Sequence, residues 1–410
     1  MFFELNIIQS VGIAVLFLTI GKWIVNRVAF LQKITIPAAV VGGLLFAIVN
    51  TIFYILDIGA IVLDTTLNEF FMVIYFTTIG FNASLKTIKD SGSIVIKFLL
   101  LTIGIIFIQN FVGIISANFL GVDPLLGLIL GSPALLGGHS TVAAVSPTLQ
   151  GLGLESALTV GITGATLGIA IGSITGGTVG SSFVRKNNLS ANNQNIDDQV
   201  VEDADGADEL TSANESNLSY EGISHMIAVT FIAMFIGTFV TNGVNAIMAN
   251  FVDGITFPVV LGPLLVAAIF RNISDAMDKP FIDTDNLQVV SSNSLDIFLS
   301  LTIVGLQLWT IFDVAIEMVI IVLLVALATF IYSTGLVYRI MGKNYDAAIM
   351  TSGFIGFAMG SSSNAMASMR SVTRNYGPSP LAKLTVSIVA GLFADFINIL
   401  IIYGFLAFMS

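Results

Sequence analysis

Gly131–Ser146 reads G-S-P-A-L-L-G-G-H-S-T-V-A-A-V-S and lies among apolar runs long enough to cross a bilayer. Such a Gly-, Pro- and hydroxyl-rich stretch is tolerated at membrane depth only inside protein or beside a watery cavity, because lipid satisfies no backbone hydrogen bond. The run leading into it, Leu125–Leu136, has 12 residues. As a helix it rises about 18 Å, against roughly 30 Å of hydrocarbon. The segment is therefore expected to enter the membrane, break at Gly137-Gly138 and leave by the same side. A Gly-rich packing surface with a harmless break is the plainer alternative.

The stretch has a twin. Gly356–Met369 reads G-F-A-M-G-S-S-S-N-A-M-A-S-M. Setting Gly138 on Gly360 places His139-Ser140-Thr141 over Ser361-Ser362-Ser363 and Ser146 over Ser368. Ile34-Thr35-Ile36-Pro37, followed by G-G-L-L, matches Ile255-Thr256-Phe257-Pro258, followed by G-P-L-L. Ile79-Gly80-Phe81-Asn82 matches Val304-Gly305-Leu306-Gln307. Three matches in one order, at offsets of about 220–225, indicate an internal repeat.

Only 10% of the residues are charged and 55% are hydrophobic, where a soluble domain carries about 25% charged. The chain therefore reads as a polytopic helical membrane protein. With no cysteine and two histidines, disulfides, thiol nucleophiles and thiolate metal sites are excluded, and little remains for a zinc or haem enzyme. The N-terminus, M-F-F-E-L-N, has no basic n-region, so the first apolar run is expected to stay as a helix.

Spans are expected near 5–21, 36–56, 70–84, 94–119 and 156–184, the last laced with Gly161, Gly164, Gly168, Gly172 and Gly176 for close helix packing. A second set is expected near 223–249, 257–270, 295–311, 314–338 and 381–408. Residues 187–221 are Asn/Ser-rich, hold nine Asp or Glu and no Lys or Arg, and read as a disordered acidic linker. It accounts for most of the net charge of −11.

Five spans per half is odd, so the halves, 1–186 and 222–410, are expected to sit upside-down to each other. Each carries a re-entrant hairpin, at about 124–154 and 344–380. With both termini outside, all 15 Lys and Arg fall on the inner side, as the positive-inside rule requires, and the linker is cytoplasmic. The hairpins then enter from opposite sides and their tips can meet. Inverted repeats with broken helices at the midplane are the architecture of secondary transporters.

With these residues in place, the chain resembles the bacterial sodium/glutamate symporter family. The resemblance rests on I-T-I-P with G-G-L-L at 34–45, T-I-G-F-N at 78–82, G-G-H-S-T-V-A-A at 137–144 and M-G-K-N-Y-D-A-A at 341–348, and covers essentially everything outside the linker. It implies ten spans with two re-entrant hairpins, a homodimer in the bacterial inner membrane, Na+-coupled L-glutamate uptake, and elevator-like movement of the hairpin-bearing part. No cofactor beyond co-transported Na+ and no nucleic-acid partner are expected. The chain departs from the family's pattern before the second tip. Gly353–Gly360 followed by Ser361-Ser362-Ser363-Asn364 lacks the family's histidine, its threonine–proline pair and one glycine. The alternative reading is a Na+- or H+-coupled carrier of another amino acid or organic anion.

Asp395 lies midway along the last span, in F-A-D-F-I-N. A charge there costs at least about 2.5–3.5 kcal/mol, which fits a Na+ ligand or proton site better than a packing residue. Asn398, at i+3 on the same face, is either a neutral oxygen ligand or the partner of Asp395. His139 either donates to a substrate carboxylate or fixes its hairpin. Ser140, Thr141, Ser361, Ser362, Ser363 and Asn364 offer short polar groups beside free backbone N–H groups, which suits a carboxylate with Na+. Asn82 and Gln307 either line the ion path or satisfy helix breaks, and Gln109-Asn110 likewise. A dicarboxylate would need helix dipoles, His139, bound Na+, or Arg370 reaching from the inner hairpin. An intramembrane enzyme lacks its second carboxylate or paired His. A channel would follow its gradient without counterflow, whereas a carrier saturates and exchanges.

Overall fold

The computed structural model describes residues 2–33, 36–64, 66–90, 92–191, 218–248, 258–277, 279–309 and 314–409. Most of the expected linker, and the repeat-motif residues Ile34, Thr35 and Ile255–Phe257, lie outside these. Among the described residues eight helices are long and apolar enough to cross a membrane. They are α1 (Ile7–Arg27), α3 (Ala38–Ile55), α6 (Gly92–Leu120), α10 (Ala157–Lys186), α11 (Tyr220–Met248), α13 (Thr284–Val304), α14 (Ala315–Ile340) and α17 (Pro380–Met409). Two more, α4 (Thr66–Gly80) and α12 (Leu261–Asp275), have 15 residues each, a rise of about 22 Å. They are the short spans expected near 70–84 and 257–270. Short helices α2 (Ala29–Lys33) and α5 (Leu85–Asp90) join neighbours.

Two differences from the sequence reading have local causes. The chain is not wholly helical: β1 (Phe2–Glu4) pairs in parallel with β2 (Ala60–Val62). Asn50 completes the hydrogen bonding of β2, donating from Nδ2 to the Ile61 carbonyl at 3.0 Å and accepting the Ile61 N–H at 2.8 Å. The helix expected from about 295 begins at Thr284, where the Asp283 carboxylate accepts the N–H groups of Asp285 and Asn286. That cap anchors a polar first half which hydropathy alone discards.

The helices pack in two groups. In one, α1, α3, α4, α11, α12 and α13 contact one another. In the other, α6, α10, α14 and α17 surround two broken segments. The first is α7 (Pro124–Ile129), α8 (Ser132–Leu135) and α9 (Gly138–Gly151); the second is α15 (Tyr345–Ala358) and α16 (Ser362–Tyr376). The two groups touch where α9 meets α13 and α17 meets α4.

Helix α10 is wedged between both broken segments, and its glycine stripe is the reason it fits. A β-carbon on Gly161 would meet Val142 and Ile129 of the first segment. One on Gly172 would lie 2.9 Å from the Met359 carbonyl oxygen, and one on Gly176 2.5 Å from Ser368 Oγ, both in the second. Ser352 Oγ donates to the Gly176 carbonyl at 2.9 Å. Closer backbone approach lets small residues do in lipid what hydrophobic burial does in water.

Candidate functional site

The first segment breaks twice. Asp123 caps α7 by accepting the Leu125 N–H at 2.8 Å, and Pro133 opens α8 in the first turn, where its missing N–H costs least. Between them Gly131 interrupts the helix, one break more than the Gly137-Gly138 break read from sequence. Neighbouring helices take up the groups this frees. The Ser132 N–H donates to Asn110 Oδ1 at 2.9 Å, and the Ser132 carbonyl accepts from Asn398 Nδ2 at 3.3 Å. In the second segment the Ala358 carbonyl accepts from Gln109 Nε2 at 2.7 Å, and Gln109 also donates to Thr329 Oγ1 at 3.0 Å. Gln109 and Asn110, neighbours on α6, thus each hold a different break.

Past the breaks, the chain turns into α9 at Gly138 and into α16 at Ser361. Gly138 has φ +62°, the left-handed region that glycine enters without strain. Ser361 caps α16, its Oγ accepting the Asn364 N–H at 3.3 Å. A β-carbon on Gly138 would lie 3.2 Å from the Gly360 carbonyl oxygen, so the two turns stand against each other.

Both turns face a cavity of about 770 Å³. His139 and Ser140 line it from α9, Ser361, Ser362 and Ser363 from α16, and Asp395 from α17. His139 Nε2 is 3.1 Å from Thr166 Oγ1 on α10, Ser140 Oγ is 3.3 Å from the Gly137 carbonyl, and Ser362 Oγ donates to the Ala390 carbonyl at 2.8 Å. Ala390 sits in a π-helical stretch of α17, Val389–Phe393, which ends just before Asp395. Such stretches leave carbonyls without their helical partner, and Ser362 takes up this one. No hydrogen bond or ion pair of the Asp395 carboxylate occurs among the described residues. Asn398, read from sequence as either a neutral oxygen ligand or the partner of Asp395, is fully buried and turned to Ser132, with its Oδ1 left without a donor.

The other sequence candidates divide. Asn82 lines the cavity. Thr141 and Asn364 are buried behind the turns and do not line it. Gln307 is exposed just beyond the end of α13 and is not part of the lining.

Sequence reasoning missed two contributors. Tyr75, in the middle of α4, lines the cavity together with Ser140 and Asp395. No local pattern marks it among the aromatics of α4. The polar half of α13 supplies Thr284, Asp285, Gln288, Ser291 and Ser292, and here a signal existed. Thr284, Gln288 and Ser291 follow the i, i+4, i+7 spacing of one helical face. Ser291 Oγ also receives the Thr78 hydroxyl at 2.8 Å, tying this face to α4.

No group of three or more His, Asp or Glu that could hold a metal occurs among the described residues. A monovalent cation does not need one: hard cations are held by carboxylate, carbonyl and side-chain oxygens, of which this cavity has several.

A family model described as Sodium/glutamate symporter matches residues 3–378. The sodium/glutamate symporter of Escherichia coli (strain K12) is 33% identical over 403 residues, covering 98% of this chain and 97% of that protein. That of Haemophilus influenzae is 30% identical over 391 residues, covering 95% and 94%.

Proposed function

The chain belongs to the sodium/glutamate symporter family, and on that premise we propose that it draws L-glutamate into the cell on an inward Na+ gradient. One observation carries the reading from family to site. Gly138 and Gly360 close on each other at the cavity that also holds Asp395. Two helix N-termini, with the hydroxyls of Ser140 and Ser361–Ser363 beside them, offer donors to a carboxylate. The Asp395 carboxylate and the neutral oxygen of Asn398 offer ligands to Na+. Ser140, Ser361, Ser362, Ser363 and His139 are assigned to substrate. Thr141 and Asn364 support the turns, and Asn82 lies on the ion path. Gln307 takes no part in this reading.

Repeat-matched residues touch each other. Gly138 faces Gly360 and Gln109 bonds Thr329, pairs separated by 222 and 220 positions. Residues near a pseudo-two-fold axis meet their own counterparts, which supports inverted repeats with two re-entrant hairpins. With both termini outside and the basic residues inside, the cavity walls contributed by Val25, Pro37, Asn82 and Thr284 lie toward the cytoplasm. The molecule is then in an inward-facing state. Its packing in two groups supports an elevator step in which the hairpin-bearing group slides past the other. Na+ beside Asp395 offsets the charge of the loaded site during that step, when desolvated charge is most costly. The carrier works as a homodimer in the inner membrane.

The test is uptake of radiolabelled L-glutamate into proteoliposomes with and without an inward Na+ gradient. Saturable accumulation that collapses when choline replaces Na+ supports the reading. Folded, inserted protein that takes up no glutamate overturns it.

A further inference from the structure

We propose that Arg370 receives the distal carboxylate of the substrate and thereby sets the preference for an acidic over a neutral amino acid. The inference rests on the symport reading above and deepens it. Arg370 is the one Lys or Arg among the described residues that line the cavity. The other ionisable groups there are Asp285 on α13, Asp395 on α17, His139 on α9 and Tyr75 on α4. An acidic amino acid brings one ammonium and two carboxylates. The turns, with their helix N-termini and serine hydroxyls, have donors for one carboxylate, and Asp395 and Asp285 repel the second. A dicarboxylate therefore leaves one negative charge, and Arg370 carries the one full positive charge among the described residues of this lining.

The position of Arg370 suits the task. Ser362, Ser363, Met366, Ala367 and Arg370 line the cavity from α16 at steps of three and four, so they share one helical face. From Ser362 to Arg370 the helix rises about 12 Å. Side chains on a helix lean toward its N-terminus, so the guanidinium is carried back from its Cα toward the turn at Gly360–Ser361. A ligand held by one carboxylate at that turn extends along the same face toward Arg370. Met366 and Ala367, between them, present an apolar floor suited to the methylene stem of the substrate. A guanidinium also binds a carboxylate through two parallel hydrogen bonds, a geometry that an ammonium lacks.

The experiment compares wild type, Arg370→Gln, Arg370→Met and Arg370→Lys in proteoliposome uptake driven by an inward Na+ gradient, with unlabelled L-glutamine and L-glutamate as competitors. Arg370→Gln and Arg370→Met both remove the charge at similar length, so one folded variant suffices. The melting temperature of each purified variant checks folding. The expected result is a rise in KM for glutamate of about 10–100-fold, the range for a lost charge-assisted pair. Glutamine should become the comparable or better competitor while uptake stays Na+-dependent. Lys should retain the preference for glutamate at reduced affinity. If the uncharged variants keep the wild-type preference for glutamate over glutamine, the proposal is overturned and the symport reading stands. If wild type itself takes up no glutamate, the symport reading falls first and the proposal with it.

Discussion

Gly138 and Gly360 stand 222 positions apart in sequence and back to back in space, with room for a β-carbon on Gly138 only at 3.2 Å from the Gly360 carbonyl oxygen. Gly138 also holds φ +62°. A substitution there meets a crowded carbonyl and a backbone conformation that costs an L-residue about 1–2 kcal/mol. Gly138→Ala should therefore lower glutamate uptake severalfold at normal membrane abundance. Gly12→Ala, where a β-carbon would meet nothing within 4 Å, should not. Wild-type initial rates from Gly138→Ala would show that the two turns need not approach so closely.

Gln109 and Asn110 each satisfy a backbone group that a helix break exposes. Truncating either leaves a buried donor or acceptor unpaired, at about 1–3 kcal/mol. Asn110→Ala strips the Ser132 N–H of its acceptor, and Gln109→Ala strips the Ala358 carbonyl of its donor. Both variants should melt several degrees below wild type in detergent. They should also lose more stability than Asn118→Ala, whose exposed side chain bonds only its own helix at Ile114. Equal melting of all three would mean that the breaks find other partners.

How far this arrangement is legible in the chain depends on the kind of signal each residue leaves. The long apolar helices announce themselves by composition, and Gly137-Gly138 by interrupting one of them. Asp395, which lines the cavity, stood out because a carboxylate in F-A-D-F-I-N is costly in lipid. The pairing of Asn398 with Ser132 rather than Asp395 was not, because i+3 spacing says which face a residue shares and nothing about what lies opposite. Gln109 and Asn110 read as packing residues or as part of the path, with nothing in the sequence to show which backbone groups they serve. Only the fold reveals that consecutive residues, pointing apart around α6, serve different segments. The strands at Phe2–Glu4 and Ala60–Val62 are three residues long, too short for any alternation to register. The polar start of α13 was hidden by the hydropathy criterion itself, which moved the expected helix start to about 295.

Asp395 faces the cavity without a hydrogen bond or ion pair among the described residues, which is an unstable situation for a carboxylate in a membrane protein unless an ion or a proton joins it. Asp395→Asn keeps the shape and removes the charge. It should leave melting temperature within a degree or two of wild type and abolish Na+-driven glutamate accumulation. A variant that accumulates glutamate with the wild-type dependence on Na+ would remove Asp395 from the ion site.

The chain contains no cysteine, so single thiols can be placed against a silent background. Ser140 and Ser362 line the cavity from opposite turns, and each spends its hydroxyl on a single carbonyl, that of Gly137 or Ala390. A sulfur in place of either oxygen forfeits one modest hydrogen bond, about 0.5–1.5 kcal/mol, so both variants should fold. In the inward-facing arrangement, a membrane-impermeant thiol reagent should modify Ser140→Cys and Ser362→Cys in inside-out vesicles and spare them in right-side-out ones. Na+ with glutamate should protect both if the substrate binds between the turns, as proposed. If the group carrying the turns moves across the membrane during transport, Na+ gradients that favour the opposite state should make the same two thiols reactive from the outer side. Labelling confined to one side under every gradient would argue for a fixed pore mouth. Thiols inert from both sides would mean that the turns are buried helix contacts and that the cavity is not on the transport path.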